Sequence, residues 1–256
     1  MAFSRGSASG LLIVNADDWG LDSPTTDATL DCFRAGAITS ASGMVWMADS
    51  ARAAAIARTE DLPIDLHLNL IEPFTASDAP REVAERQRRV ASRYSAAGAR
   101  GLLYHPQWAR EVERCIADQM REFERLYGRA PAHVDGHRHG HLALNCVFAR
   151  PLGRVPRYRP AFTFLAGESS VPKRVARALL NGLIRTRFRT ARYLFNLRAL
   201  HPALGGSHMD EKLSLADRYP VEVMVHPGAD DELRVLGDGD WVARISRHRL
   251  GSYAQL

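Results

Sequence analysis

Cysteine is scarce in this 256-residue chain. The three present, Cys32, Cys115 and Cys146, are far apart and in no CxxC pair, which argues against both a disulfide framework and a thiolate zinc site. Long apolar runs are missing too: nothing approaches the roughly 20 residues a membrane span requires, and Leu11-Leu12-Ile13-Val14 is too brief for the core of a secretory signal. No repeat, low-complexity linker or composition break marks a second domain. The net charge of +5 comes from arginines spread over the chain, with one denser stretch, and no tail is basic enough to imply nucleic acid. The expectation is a soluble cytoplasmic protein in which residues 1–10 are disordered and residues 11–256 form a single domain.

Histidine, in contrast, is concentrated. Four of the ten lie in His133-Val134-Asp135-Gly136-His137-Arg138-His139-Gly140-His141. In an extended segment His133, Asp135, His137, His139 and His141 share one face, although Gly136 and Gly140 argue that the strand ends before His141.

Around this stretch the chain alternates between strand and helix patterns. The apolar run from Leu11 to Val14 reads as a buried parallel strand, and Asp17 and Asp18 follow at its end. Asp22-Ser23-Pro24 is helix-start chemistry, and Gly36 closes that helix. A second strand is expected over Ile38 to Trp46 and a second helix over Asp49 to Thr59. Ile64 to Leu70 alternates strictly, with Asp65, His67 and Asn69 on one face. The stretch from Ile71 to Tyr104 reads as a long excursion over the site with a short helical middle. Trp108, Val112, Ile116, Met120, Phe123 and Tyr127 define the clearest helix, closed by Gly128. Leu142 to Phe148 reads as a helix, and the proline-rich segment from Val155 to Pro160, which holds Arg159, as an extended connector. From Lys173 to Arg198 cations interleave with aliphatic residues, a pattern of a solvated helix face or of contact with an anionic substrate or a membrane surface. Val221 to Val225 is a last strand, ending at His226.

Asp17 and Asp18, His67, the histidine cluster and His226 thus sit at four strand ends. Parallel α/β folds gather active sites at the carboxyl ends of their strands. A carboxylate with two histidines suits a divalent metal, and because adjacent carboxylates at a strand end point in different directions, one can bind metal while its neighbour does something else. The chemistry expected is metal-assisted hydrolysis.

Asn15-Ala16-Asp17-Asp18-Trp19-Gly20-Leu21, Thr39-Ser40, His67-Leu68-Asn69-Leu70, the stretch from His133 to His141, His226-Pro227-Gly228 and Leu250-Gly251-Ser252-Tyr253 resemble, in that order, the motifs of the YdjC-like carbohydrate deacetylases, a group with chitooligosaccharide deacetylases and a hopanoid-biosynthesis-associated branch. The resemblance implies an α/β fold of deformed (β/α) barrel form and removal of an N-acetyl group from an acetylated amino sugar. Carried over by motif, Asp18, His67 and His137 are the metal ligands and Asp17 is the base. His226 is a candidate general acid or oxyanion stabiliser. Asn69, His133, Asp135, His139, His141 and Arg159 are expected to orient ligands or contact substrate. The cofactor implied is one divalent ion, zinc or magnesium first, with manganese, iron and nickel compatible; the partner is a small acetylated sugar, and a homo-oligomer stays open. Trp19, Gly136 and Gly140 depart from the usual phenylalanine, serine and valine, and the segments from Ile71 to Tyr104 and from Ala161 to His208 match poorly, which leaves substrate identity open. Other readings are a metal-dependent phosphoesterase or amidohydrolase on a similar barrel, against which the Asn-Ala-Asp-Asp end of the first strand counts, and a catalytically silent sugar- or metal-binding protein.

Overall fold

Along the first strand, β1 (Leu11–Trp19), alternate residues serve two environments. Leu12, Val14 and Ala16 join the main hydrophobic core beneath the helices, while Leu11 and Ile13 form a small cluster with Ala191 and Tyr253 on the concave side. The same division runs through the computed structural model, which describes residues 10–256. The reading of residues 1–10 as disordered therefore lies, Gly10 apart, outside the described residues.

Six further strands follow: β2 (Ser40–Gly43), β3 (Ile64–Leu68), β4 (His133–Gly136), β5 (Arg157–Tyr158), β6 (Tyr193–Asn196) and β7 (Pro220–Val225). They form one sheet in the order β5-β4-β3-β2-β1-β7-β6, and every neighbouring pair is parallel. The two edges meet through a single bridge between Arg157 and Arg189, just ahead of β6. The sheet is a deformed (β/α) barrel.

The helices are α1 (Ser23–Arg34), α2 (Ser50–Thr59), α3 (Arg81–Ala97), α4 (Pro106–Tyr127), α5 (Leu144–Val147), α6 (Val171–Arg185), α7 (Leu197–Leu200), α8 (Met209–Ser214), α9 (Asp230–Leu236) and α10 (Gly239–Ile245). Asp22 caps α1 by accepting the Thr25 N–H at 2.9 Å, and Gly128, at φ 70°, ends α4.

Several sequence expectations are corrected. The helical middle of residues 71–104 is long: α3 has 17 residues, because Gln87, Val90, Ala91 and Tyr94 recur at helical spacing and are buried, with Tyr94 edge-on to Trp108 of α4. The connector around Arg159 contains β5, a two-residue edge strand, since Pro156 and Pro160 flank the pairing residues instead of interrupting them. Residues 173–198 run from α6 through β6 into α7, and β2 is shorter than expected, the chain turning at Trp46 with φ 55°.

The end of β4 is tightly packed. A Cβ on Gly136 would lie 3.0 Å from the Leu68 carbonyl oxygen and 3.2 Å from the His141 backbone nitrogen. Gly136→Ala is expected to lower stability by about 1–3 kcal/mol in urea unfolding. An unchanged midpoint would show that this junction yields freely.

Candidate active site and metal-ligand cluster

β1 carries one residue more than β2 between the pairs Ala16–Ala41 and Trp19–Gly43, and within this bulge Asp18 takes φ 67°. Aspartate tolerates that left-handed conformation better than most residues do. A regular strand would send Asp17 and Asp18 to opposite faces; the bulge brings both carboxylates to the concave side. His67 Nε2 lies 3.2 Å from Asp18 Oδ1 and 4.0 Å from Asp17 Oδ2. The expected divergence of the two carboxylates is thus replaced by a side-by-side pair.

β4 stops at Gly136, and His137 opens a tight turn in which Arg138 and His139 both adopt positive φ, 49° and 58°. The turn aims His137 at β1, with Nδ1 2.7 Å from Asp18 Oδ1. Donor atoms of Asp18, His67 and His137 all lie within 4.8 Å of one another. Ligand atoms about 2.1 Å from a tetrahedral ion stand roughly 3.4 Å apart, so this spread fits one ion after small adjustment. The far side of His67 completes the fit: its Nδ1 is 2.7 Å from Asp135 Oδ1, which fixes the tautomer and leaves Nε2 facing Asp18. Asp17, His67 and Asp135 form a second close group, but there Arg159 already lies against both carboxylates and His67 Nδ1 is taken.

The charge of the cluster asks for a cation. Burial works against a charged His67, yet Asp135, Asp17 and Asp18 outweigh it and push its pKa up to about 10. Burial likewise opposes ionisation of Asp18, but hydrogen bonds from His137 and His67 hold its carboxyl far below the usual range.

Beneath Asp18, His67 and His137 lies fully buried Arg159. It donates from Nη1 to Asp17 Oδ2 and from Nη2 to Asp17 Oδ1, both at 2.7 Å, and from Nε to Glu222 Oε1 at 2.8 Å; Nη2 is also 2.7 Å from Asp135 Oδ2. Tyr253 donates its hydroxyl to the other oxygen of Glu222, and burial pushes that carboxyl up to about 7 against the pull of Arg159. Ser42 donates to Asp135 at 2.7 Å, while Asn15 links Ser40, Ser42 and Asp17. Glu222, Ser42 and Asn15 escaped the sequence reading. For Glu222 a signal existed: one acid between Val221 and Val223 on a strand whose valines face the core.

His226 and the Asp pair line one cleft of about 320 Å³ with Thr25, Arg198 and Glu232. His226 Nδ1 is 3.6 Å from Glu232 Oε1, and although burial opposes its proton, Glu232 and the charges of Asp17 and Asp18 raise its pKa above the ordinary value. A larger cavity, about 570 Å³ against α4, lies by the starts of β4 and β5 and includes none of these residues.

The remaining expected residues scatter. Asn69 accepts the Ile71 and Glu72 N–H groups and so shapes the loop that sets Glu72 3.4 Å from His137 Nε2. His139 packs against Phe162, its pKa lowered to about 4 by burial and then by the Arg159 charge. His141 is buried edge-on to Tyr158, and His133 stacks on Tyr253 with centroids 3.5 Å apart, one residue pair below Asp135 along β4. The shared face of five side chains therefore holds only for His133 and Asp135, because the turn after Gly136 redirects the rest.

Arg159→Met should cost about 3–5 kcal/mol in urea unfolding, since it strands buried carboxylates without their cation; a loss under 1 kcal/mol would show that the carboxylates neutralise at little cost. Burial, the leading cause, lowers the pKa of His133 to about 3. The unfolded chain then takes up this proton near pH 6.5 and the folded chain only near 3, so stability falls as pH drops through that window. His133→Phe, which keeps the stacking, should flatten the decline in melting temperature; an unaltered pH profile would contradict it.

Residues 11–251 match the model of the YdjC-like protein family. Proteins named chitooligosaccharide deacetylase from Yersinia pestis (strain Pestoides F) and Yersinia enterocolitica serotype O:8 are 31% and 28% identical, the alignments covering 87% of this chain and 83% of each relative. The solved structure of an Enterococcus faecalis V583 protein, described as a candidate for cellobiose-phosphate cleavage, superposes with a TM-score of 0.68 at 18% identity, over 97% of this chain and 99% of that one, a likeness of fold. With its motifs in order and its length matched almost throughout, the chain belongs to the YdjC-like protein family.

Proposed function

We propose that this protein is a hydrolase that removes the acetyl group from an N-acetylated amino sugar, carried in an oligosaccharide or glycoside, with one divalent metal ion and Asp17 as general base. Its family and the names of its relatives support the carbohydrate deacetylase class. The observation that carries the mechanism is the meeting of Asp18, His67 and His137 with Asp17 beside them and His226 in the same cleft.

When bound, the ion supplies Lewis acidity to the acetamide oxygen and to the attacking water. Two imidazoles and one carboxylate suit zinc, manganese, iron or nickel better than magnesium, which prefers oxygen donors. Asp135 keeps His67 in the tautomer that turns Nε2 to the ion. Arg159 grips both oxygens of Asp17 and fixes its plane; Oδ2, the oxygen nearer His67, keeps a free lone pair for the proton of the attacking water. Water adds to the acetyl carbon, the C–N bond breaks, and His226 gives its proton to the departing amine. The raised pKa of His226 suits an acid near neutral pH.

Asp17→Asn should abolish acetate release while leaving metal content intact, whereas His137→Ala should lose both, measured by elemental analysis and an acetate assay on N-acetylated chitooligosaccharides. Near-normal turnover by Asp17→Asn would remove Asp17 as the base. His226→Ala should cut kcat about 10²–10⁴-fold with little effect on metal content; an unchanged kcat would assign the acid elsewhere.

A further inference from the structure

Among the described residues every exposed large apolar side chain falls in one of two groups: Leu102, Leu103, Tyr104 and Phe148 in one, and Val171, Val175 and Leu179 on α6 in the other. The α6 residues are 61%, 51% and 70% exposed, and their four-residue spacing draws one stripe along the helix, away from buried Asn181 and Ile184. Isolated exposed aliphatics are ordinary; a three-member stripe on one helix asks for a partner.

The charge of this region is one-sided. Residues 171–198 hold eight cations and no acid, against +5 for the whole chain, so the rest of the protein is net −3. Of the eight, only Arg198 is ion-paired to a side-chain carboxylate among the described residues. Four others, Arg174, Arg177, Arg185 and Arg192, line a cleft of about 210 Å³ beside α6, together with Phe162 and Phe164. Among the described residues Arg185 bonds only Thr190 Oγ1 and the Arg192 carbonyl, and burial followed by the charge of Arg192 lowers its pKa. Guanidiniums gathered without a counter-charge form a site for a planar or tetrahedral oxyanion.

We propose that α6 and this cleft dock the protein on an anionic phospholipid surface, the four arginines taking a headgroup phosphate while Val171, Val175 and Leu179 enter the interface. A free anion would satisfy the arginines and leave the stripe in water. A second copy would cover the stripe only by bringing two eight-cation segments together. A single-stranded nucleic acid would satisfy the arginines through its phosphates but leave the aliphatic stripe of α6 in water. A lipid surface meets both requirements. No helix among the described residues is long and apolar enough to cross a membrane, so α6 lies on the surface, in the manner of an interfacial amphipathic helix. The docked face adjoins the active-site end, because Phe162 of the cleft packs against His139.

The test is sedimentation of the full chain with phosphatidylcholine vesicles, with and without phosphatidylglycerol, at low and high salt. Binding is expected only with the anionic lipid and should fall with salt. Arg174→Gln and Arg177→Gln should each weaken partitioning about five-fold, and the exposed pair Val175→Asp with Leu179→Asp should abolish it, all with an unchanged melting temperature. Equal sedimentation with both vesicle types, or binding indifferent to these substitutions, overturns the proposal. So does stabilisation by inorganic phosphate without vesicle binding, or a dimer in light scattering that Leu179→Asp dissolves.

Discussion

One guanidinium organises the interior of this barrel. Arg159 touches Asp17 from β1, Asp135 from β4 and Glu222 from β7; β1 and β7 are neighbours, while β4 lies three places from β1 in the sheet order. Its Nη2 stands 2.7 Å from an oxygen of each, yet that nitrogen has two hydrogens, so at least one of these contacts is purely ionic. In a dry interior the arrangement persists only because each acid has a second partner: Asn15 for Asp17, His67 and Ser42 for Asp135, Tyr253 for Glu222. The curvature of the sheet and the polar layer at its centre are thus mutually dependent. Without the cation the concave face would hold repelling carboxylates, and without the curled sheet the strands could not reach one guanidinium.

Above this layer the site is made by two departures from regular structure. The bulge in β1 turns two consecutive carboxylates to one side, and the pair of left-handed residues after His137 turns the chain away from β4. Each costs backbone energy, and each sits at a candidate ligand. Strain of this kind persists where the surroundings over-determine it. Here Asp18 is held by His67 and His137 together, and His137 is bracketed by Asp18 and Glu72. The geometry of the candidate ligands is therefore a product of the whole upper rim.

Alternation and turn chemistry made much of this legible in the sequence. The apolar faces of β1, β3 and β7, the caps of α1 and α4 and the gathering of Asp17, Asp18, His67, the cluster from His133 to His141 and His226 at strand ends could all be read from residue types and spacing, whereas the choice of His137 within the cluster came from the family resemblance. What escaped has physical causes. β5 has two residues, too few for any period to register, so Arg159 lay within an apparent connector. The bulge is invisible because alternation presumes one residue per rung, which is the rule a bulge breaks. Parity also overreached in the histidine cluster, since nothing in His-Arg-His-Gly-His announces two consecutive residues with positive φ.

The charges of the two layers bear on each other. Asp17, Asp18 and Asp135 present three carboxylates, two of them on one guanidinium, and the proton that His67 draws in compensates only part of the remainder. A dication facing a neutral His67 would, with Arg159, balance all three, while Glu222, pushed up to about 7 and bonded by Tyr253, carries only part of a negative charge at neutral pH. A metal and a proton would therefore compete for the same imidazole nitrogen, and the carboxylates that raise its proton affinity would also raise its affinity for a dication. Arg159 sets the balance, since by engaging Asp17 and Asp135 it leaves Asp18 as the carboxylate open to a metal.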